Sequence, residues 1–339
     1  MKKFIRLIIL LTISQHAFSQ PEDQADLAFF KAANQWFNAW KLLSKDIFHV
    51  PAVKPVDFIF FDSQYVYSTS AAYATGGNNV KGPSLMNNKY EWKRSLHNGK
   101  LVLPDSSKIP VGLLSFAEEN KAAGNKAFFV MPLPSFWKTA AVSSKELGLE
   151  NLVTGVFLHE FSHSQQMENF GKRISFFEQS SDYGLDFSDD IVQDIFGNDS
   201  VYISLFRQEV AELYEASFSK NKYERNRLAE KAFESIRKRQ AAYFNGKYST
   251  LNQIDNFFLT MEGLGQYAMY AWLKHPKGAN LPAEQVIAGV RRGKKQWSQE
   301  EGFALFLLLE KYSPASKWAP AMFGTKTESV TDLILNKIN

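Results

Sequence analysis

The 339-residue chain contains no cysteine. Disulfides and thiolate metal sites are therefore excluded, as is an anchor through a lipid-modified cysteine. Any zinc must be held by histidine and carboxylate. Histidine is itself scarce, with six in the whole chain. An excess of one charge is lacking too. The formal charge is +4, and Lys2, Lys3 and Arg6 supply three of those positives, so the rest of the chain is near +1 (4 − 3 = 1). Nucleic-acid binding gains no support from that balance. Internal repeats and low-complexity tracts are absent. Beyond the amino terminus no apolar run is long enough to span a membrane.

Apolar residues are plentiful. Hydrophobic residues make up 45% and aromatics 14%, enough for a large core in one or two domains. Residues 1–19 join a basic start to the apolar run Leu7 to Ile13 and end in Ala17-Phe18-Ser19. This pattern reads as a secretory signal peptide cleaved after Ser19, which makes the protein periplasmic or secreted.

From Gln24 to Phe48 the apolar spacing predicts a helix. Val56 to Phe61 reads as a buried strand, and Ala74 to Ser84 as a glycine- and asparagine-rich loop. Asn98-Gly99 predicts a tight hairpin between Tyr90 to Leu96 and Lys100 to Leu103. Ile109 to Ala117 and Lys126 to Met131 are further strands, joined by the polar stretch EENKAAGN. Past Ser143 the pattern turns helical, near 149–170, 189–196, 200–219, 222–244, 253–274, 282–291, 298–312 and 328–338. Ser298 and Glu301 form a capping-box pattern. The expected fold class is α+β. An amino-terminal helix and mixed sheet occupy 20–148, and a mainly helical region occupies 149–339.

The chemistry concentrates in Gly155-Val-Phe-Leu-His-Glu-Phe-Ser-His-Ser-Gln-Gln166. On a helix, His159 and His163 lie on one face, one turn apart, and can address one ion. Glu160 lies about 100° further round, beside the ion rather than on it. Two neutral imidazoles can then bind zinc while the glutamate takes a proton from water. Two ordinary surface histidines are the alternative.

The segment resembles the active-site helix of zincin metallopeptidases, and the order of sheet, motif helix and helical region is similar to theirs. The resemblance implies a zinc-dependent hydrolase acting on a peptide or protein. It implies one more zinc ligand. The sequence after His163 has no histidine at metzincin spacing, which leaves a gluzincin-like arrangement with a glutamate from a later helix. Glu262 is the candidate, a lone carboxylate in an apolar helix. Its neighbours Gly263 and Gly265 suit close helix packing. The pattern Glu-Gly-x-x-Gln-Tyr resembles a third-ligand helix, although the distance from His163 is long. Glu209 or Glu212 is the rival, or else a solvated helix face. His49, His97 and His275 sit in no motif.

Further roles are open. Asp182, Asp186, Asp189 or Asp190 can support the histidines, or simply cap turns. Tyr267 or Tyr270 can stabilise an oxyanion, or pack in the core. The strand Lys126 to Met131 can be the sheet edge that aligns an extended peptide, or a core strand. Arg291 to Lys295 reads as a solvated turn. A non-catalytic envelope binding protein, with structural zinc or no metal, is the alternative function.

Overall fold

The computed structural model describes residues 22–71, 77–120, 126–293 and 295–338. The leader reading therefore lies outside the described residues, as do parts of two predicted loops. The chain is α+β, with a mixed sheet followed by a mostly helical region. Packing divides it into two compact units. One holds the described residues up to Met167 together with Ala268–Gly289. The other holds Glu168–Tyr267 and residues 290–338.

In the first unit, helix α1 (Glu22–Leu42) ends in a π turn, Leu43–Phe48. Among the described residues eight strands follow: β1 (Val56–Phe61), β2 (Tyr65–Ser68), β3 (Asn78–Val80), β4 (Trp92–Leu96), β5 (Lys100–Val102), β6 (Lys108–Pro110), β7 (Phe116–Asn120) and β8 (Lys126–Pro132). Six of them form one sheet in the order β3-β4-β2-β1-β8-β7. Its pairings are antiparallel except β1 with β8, which is parallel from Val56↔Ala127 to Phe61↔Pro132.

The two-residue period of β1 explains how the layers form. Phe58 and Phe60 face the helices. They meet Phe37 of α1, and Phe58 stacks on Phe161 at 5.7 Å between centroids. Ile59 and Phe61 face the other way, into a core with Val66, Leu101, Ile109, Phe116, Phe128 and Val130. Leu101 and Ile109 of that core belong to a separate ribbon of β5 and β6. Short helix α2 (Pro134–Thr139) leads on to α3 (Leu149–Gln165), which packs on β7, β8 and α1.

Two expectations for this unit are corrected. The chain does turn at Asn98-Gly99, where Gly99 has φ +83°. The two flanking strands do not pair, because β2 and β3 occupy both edges of β4, and β5 turns away to β6. The strand Lys126–Pro132 is interior, between β1 and β7, and β7 is the edge.

The helical unit contains α4 (Lys172–Ser180), α5 (Ile191–Phe196), α6 (Ser200–Phe218), α7 (Lys222–Tyr243), most of α8 (Leu251–Lys274), α10 (Trp297–Tyr312), α11 (Ala315–Met322) and α12 (Val330–Ile338). Helix α9 (Ala283–Val290) belongs to the sheet-bearing unit as far as Gly289. The predicted capping box fails here. Helix α10 starts at Trp297, its cap is Gln296 with φ 53°, and Ser298 is already inside it. Glu301 instead faces Arg239 at 3.4 Å, in a buried cluster.

Candidate metal centre

Helix α3 has two distinct faces. Phe157 and Phe161, four residues apart, stack on each other at 5.3 Å and press against the sheet. His159 and His163 lie on the opposite side, in line with Gly155. That glycine is where α3 meets α8. A Cβ on Gly155 would stand 2.6 Å from Cγ of Met269. The sequence motif is thus neither exposed nor incidental to packing. His159, Glu160 and His163 are 4%, 3% and 0% exposed, which overturns the surface-histidine alternative.

The two imidazoles stand perpendicular, with Nε2 atoms 3.1 Å apart. Tetrahedral zinc with Zn–N bonds near 2.05 Å needs its nitrogens about 3.3 Å apart, so the observed spacing fits one ion held by both rings. One ligand atom from each of His159, His163 and Glu262 lies within 4.8 Å of the others. Among the described residues no other trio of potential ligands gathers this closely. Two imidazoles and a carboxylate are a suitable donor set for catalytic zinc, with the fourth position left to solvent or substrate.

Glu262 is 1% exposed and lies in a ladder of amides. Gln299 Nε2 donates to its Oε2 at 3.0 Å. The Gln299 oxygen accepts from Gln266 Nε2 at 3.1 Å and Arg292 Nε at 2.8 Å. With its oxygen receiving two donors, the Gln299 amide has one sensible orientation, nitrogen toward Glu262. Asp190 belongs to the same electrostatic neighbourhood. Burial, then the charges of Glu262 and Asp194, push its carboxyl up to about 7.

The rivals for third ligand are engaged elsewhere. Glu209 is fully buried and pairs with Arg239 at 2.5 Å. Glu212 is 5% exposed and accepts from Gln208 and Ser235, both at 2.9 Å, with Lys231 at 3.0 Å. Neither belongs to a solvated face. The reason is α7, whose Arg239, Lys231 and Ser235 meet them side by side.

Other candidates have partners of their own. Tyr267 follows Glu262 by five residues, about 140° round α8. Its hydroxyl donates to Glu310 at 3.0 Å, and its ring packs on Phe306 and Trp318. Tyr270 accepts from Lys274 at 3.0 Å. Asp182 caps its own turn by accepting from the Gly184 amide at 2.9 Å. His97 contacts the Asp62 carbonyl at 3.0 Å, and His275 accepts from the Lys277 amide at 3.1 Å. The predicted solvated turn at Arg291 is instead anchored on buried Glu300. That carboxylate accepts from the Arg291 side chain at 2.6 Å and from the Arg292 and Gly293 amides at 2.7 and 2.9 Å.

Sequence reasoning missed Gln299 and Gln266. One signal was present, since Gln266 lies one turn beyond Glu262 on the same helix. Nothing local pointed to Gln299.

No protein-family model, curated protein or solved structure matches this chain.

Proposed function

We propose that the chain is an exported zinc-dependent hydrolase of peptide bonds. The observation that carries this reading is the gathering of His159, His163 and Glu262, three buried donors within 4.8 Å, next to a buried glutamate that follows the first histidine. When bound there, zinc would act as a Lewis acid toward the scissile carbonyl and lower the pKa of water. Glu160 accepts the proton of the attacking water and passes it to the leaving amine. His159, His163 and Glu262 would hold the metal, and Gln299 orients Glu262. Burial of all four charged or polar groups keeps bulk water from competing for them.

The sheet supports an extended substrate. Strand β7 is outermost and packs with α3, so a peptide can add to it by main-chain hydrogen bonds. A structural zinc would need a fourth protein donor. Glu209 and Glu212, the candidates for it, are held by Arg239 and by Lys231. The catalytic reading is preferred for that reason.

Metal content and hydrolysis of a mixed-peptide substrate test it together. The expected results are one zinc in the wild type, zinc lost in Glu262→Ala, and zinc kept with activity lost in Glu160→Gln. Wild-type protein without zinc overturns the reading. Zinc retained in Glu262→Ala moves the third ligand elsewhere, and full activity in Glu160→Gln removes the general base.

A further inference from the structure

A second site lies in the sheet-bearing unit, where α1 runs into its π turn. A cavity of about 390 Å³ opens there, lined by Lys41, Ser44, Lys45, His49, Pro51 and Met86 among others. That volume falls in the range of small-molecule sites. Its chemistry is divided. Pro51 and Met86 offer apolar surface, while Lys41, Lys45 and His49 bring nitrogen donors.

Among the described residues, no acidic side chain pairs with the cations there. Lys41 and Lys45 are four residues apart, so their ammonium groups share one side of the helix and repel. Their side chains, and that of His49, form no ion pair or hydrogen bond with a described residue. The one acid within the turn, Asp46, is drawn to Lys277 at 3.4 Å.

Two walls of the cavity are joined by Ser44. Ser44 is fully buried, and its hydroxyl bonds the Val50 carbonyl and approaches Sδ of Met86 at 3.8 Å, tying two walls together. His49 and Met86 both hold φ 54°, the left-handed region that side chains rarely adopt. Short π segments and such backbone cluster where a ligand is held.

We propose that this cavity binds a small organic anion. A carboxylate or phosphate monoester head lies among Lys41, Lys45 and His49, and an apolar body lies against Met86 and Pro51. The head offsets the lysine repulsion with charge-assisted hydrogen bonds. This inference does not depend on the zinc reading.

Calorimetric titration of the full mature chain with octanoate, phenyl phosphate and octanol tests it. The expected result is one saturable site for at least one anion, at least about tenfold tighter than for octanol, and weakened by salt. The better anion names the head group. The Lys41→Gln/Lys45→Gln variant should lose about tenfold or more in that affinity. A Lys220→Gln/Lys222→Gln variant, which removes the same charge elsewhere, should keep it. Equal binding of octanol, no binding of either anion, or unchanged affinity in the Lys41/Lys45 variant would overturn the proposal.

Discussion

Gly263 of α8 and Gly302 of α10 meet backbone to backbone. A Cβ on Gly263 would stand 2.5 Å from the Gly302 carbonyl carbon and oxygen. The neighbour of Glu262 is therefore the contact that sets how closely these two helices approach. It brings Gln299, one turn before Gly302, within reach of the Glu262 carboxylate.

This contact gives the first prediction. Gly263→Ala forces rigid backbone apart and should cost about 1–3 kcal/mol despite alanine's better helix propensity. Gly155→Ala meets a flexible methionine side chain and should cost less. Thermal unfolding of the two variants should rank them in that order. The reverse ranking would mean that α8 and α10 can slide.

Gln299→Leu tests the amide ladder. Its loss removes the donor to Glu262 while leaving His159, His163 and Glu262, the proposed zinc ligands, in place. Zinc affinity, read by competition with a chelator, should fall by about 10–100-fold, as for other residues that orient a ligand. Undiminished affinity would make Gln299 a packing residue only.

Arg239 is a structural counterpart. It is 1% exposed, pairs with Glu209, and lies 3.4 Å from Glu301 and 3.8 Å from Asp255. Its guanidinium also bonds the Tyr202 hydroxyl. Arg239→Met should destabilise by about 3–5 kcal/mol, because it strands buried carboxylates. Glu212→Gln keeps the side-chain shape and loses only the charge facing half-exposed Lys231, so it should cost less, about 1 kcal/mol. Urea titrations of the two variants compare them directly.

One cation faces three buried carboxyls, and burial favours their protonated forms. Burial pushes Glu301 up to about 8, against the opposing pull of Arg239 and with Asp255 adding to the rise. Burial likewise raises Glu209 and Asp255. In the unfolded chain a glutamate ionises near 4.3. Between that pH and about 8 the folded state holds a proton that the unfolded state has lost. Stability from Glu301 should therefore decline as pH rises through this window and level off above it. Glu301→Gln should make the plot of urea midpoint against pH shallower there. Parallel plots would mean that the carboxyl is ionised in the folded protein.

Strong local signals were legible in the sequence. The run Val56 to Phe61 is a strand with the bounds its composition implied, and the histidine spacing put both rings on one helical face. Features decided by partners were not legible. Asn98-Gly99 makes its turn, but β4 had no edge left for β5. Ser298 and Glu301 have capping-box spacing, yet the chain enters α10 earlier and Glu301 faces Arg239. Glu209 and Glu212 looked like solvated residues because Arg239 and Lys231 lie on another helix. Gln299 is 37 residues from Glu262, and no period in the sequence connects them.

The parallel pairing of β1 with β8 has a kinetic consequence. Every strand from β2 to β7 lies between these two in sequence, so the sheet centre cannot close until Lys126–Pro132 has been synthesised. Such distant partners must overcome loop-closure entropy before any contact rewards it, which slows folding. Helix α3 follows β8 and rests on it. The surface that seats the histidine helix therefore forms late, after the centre of the sheet has closed.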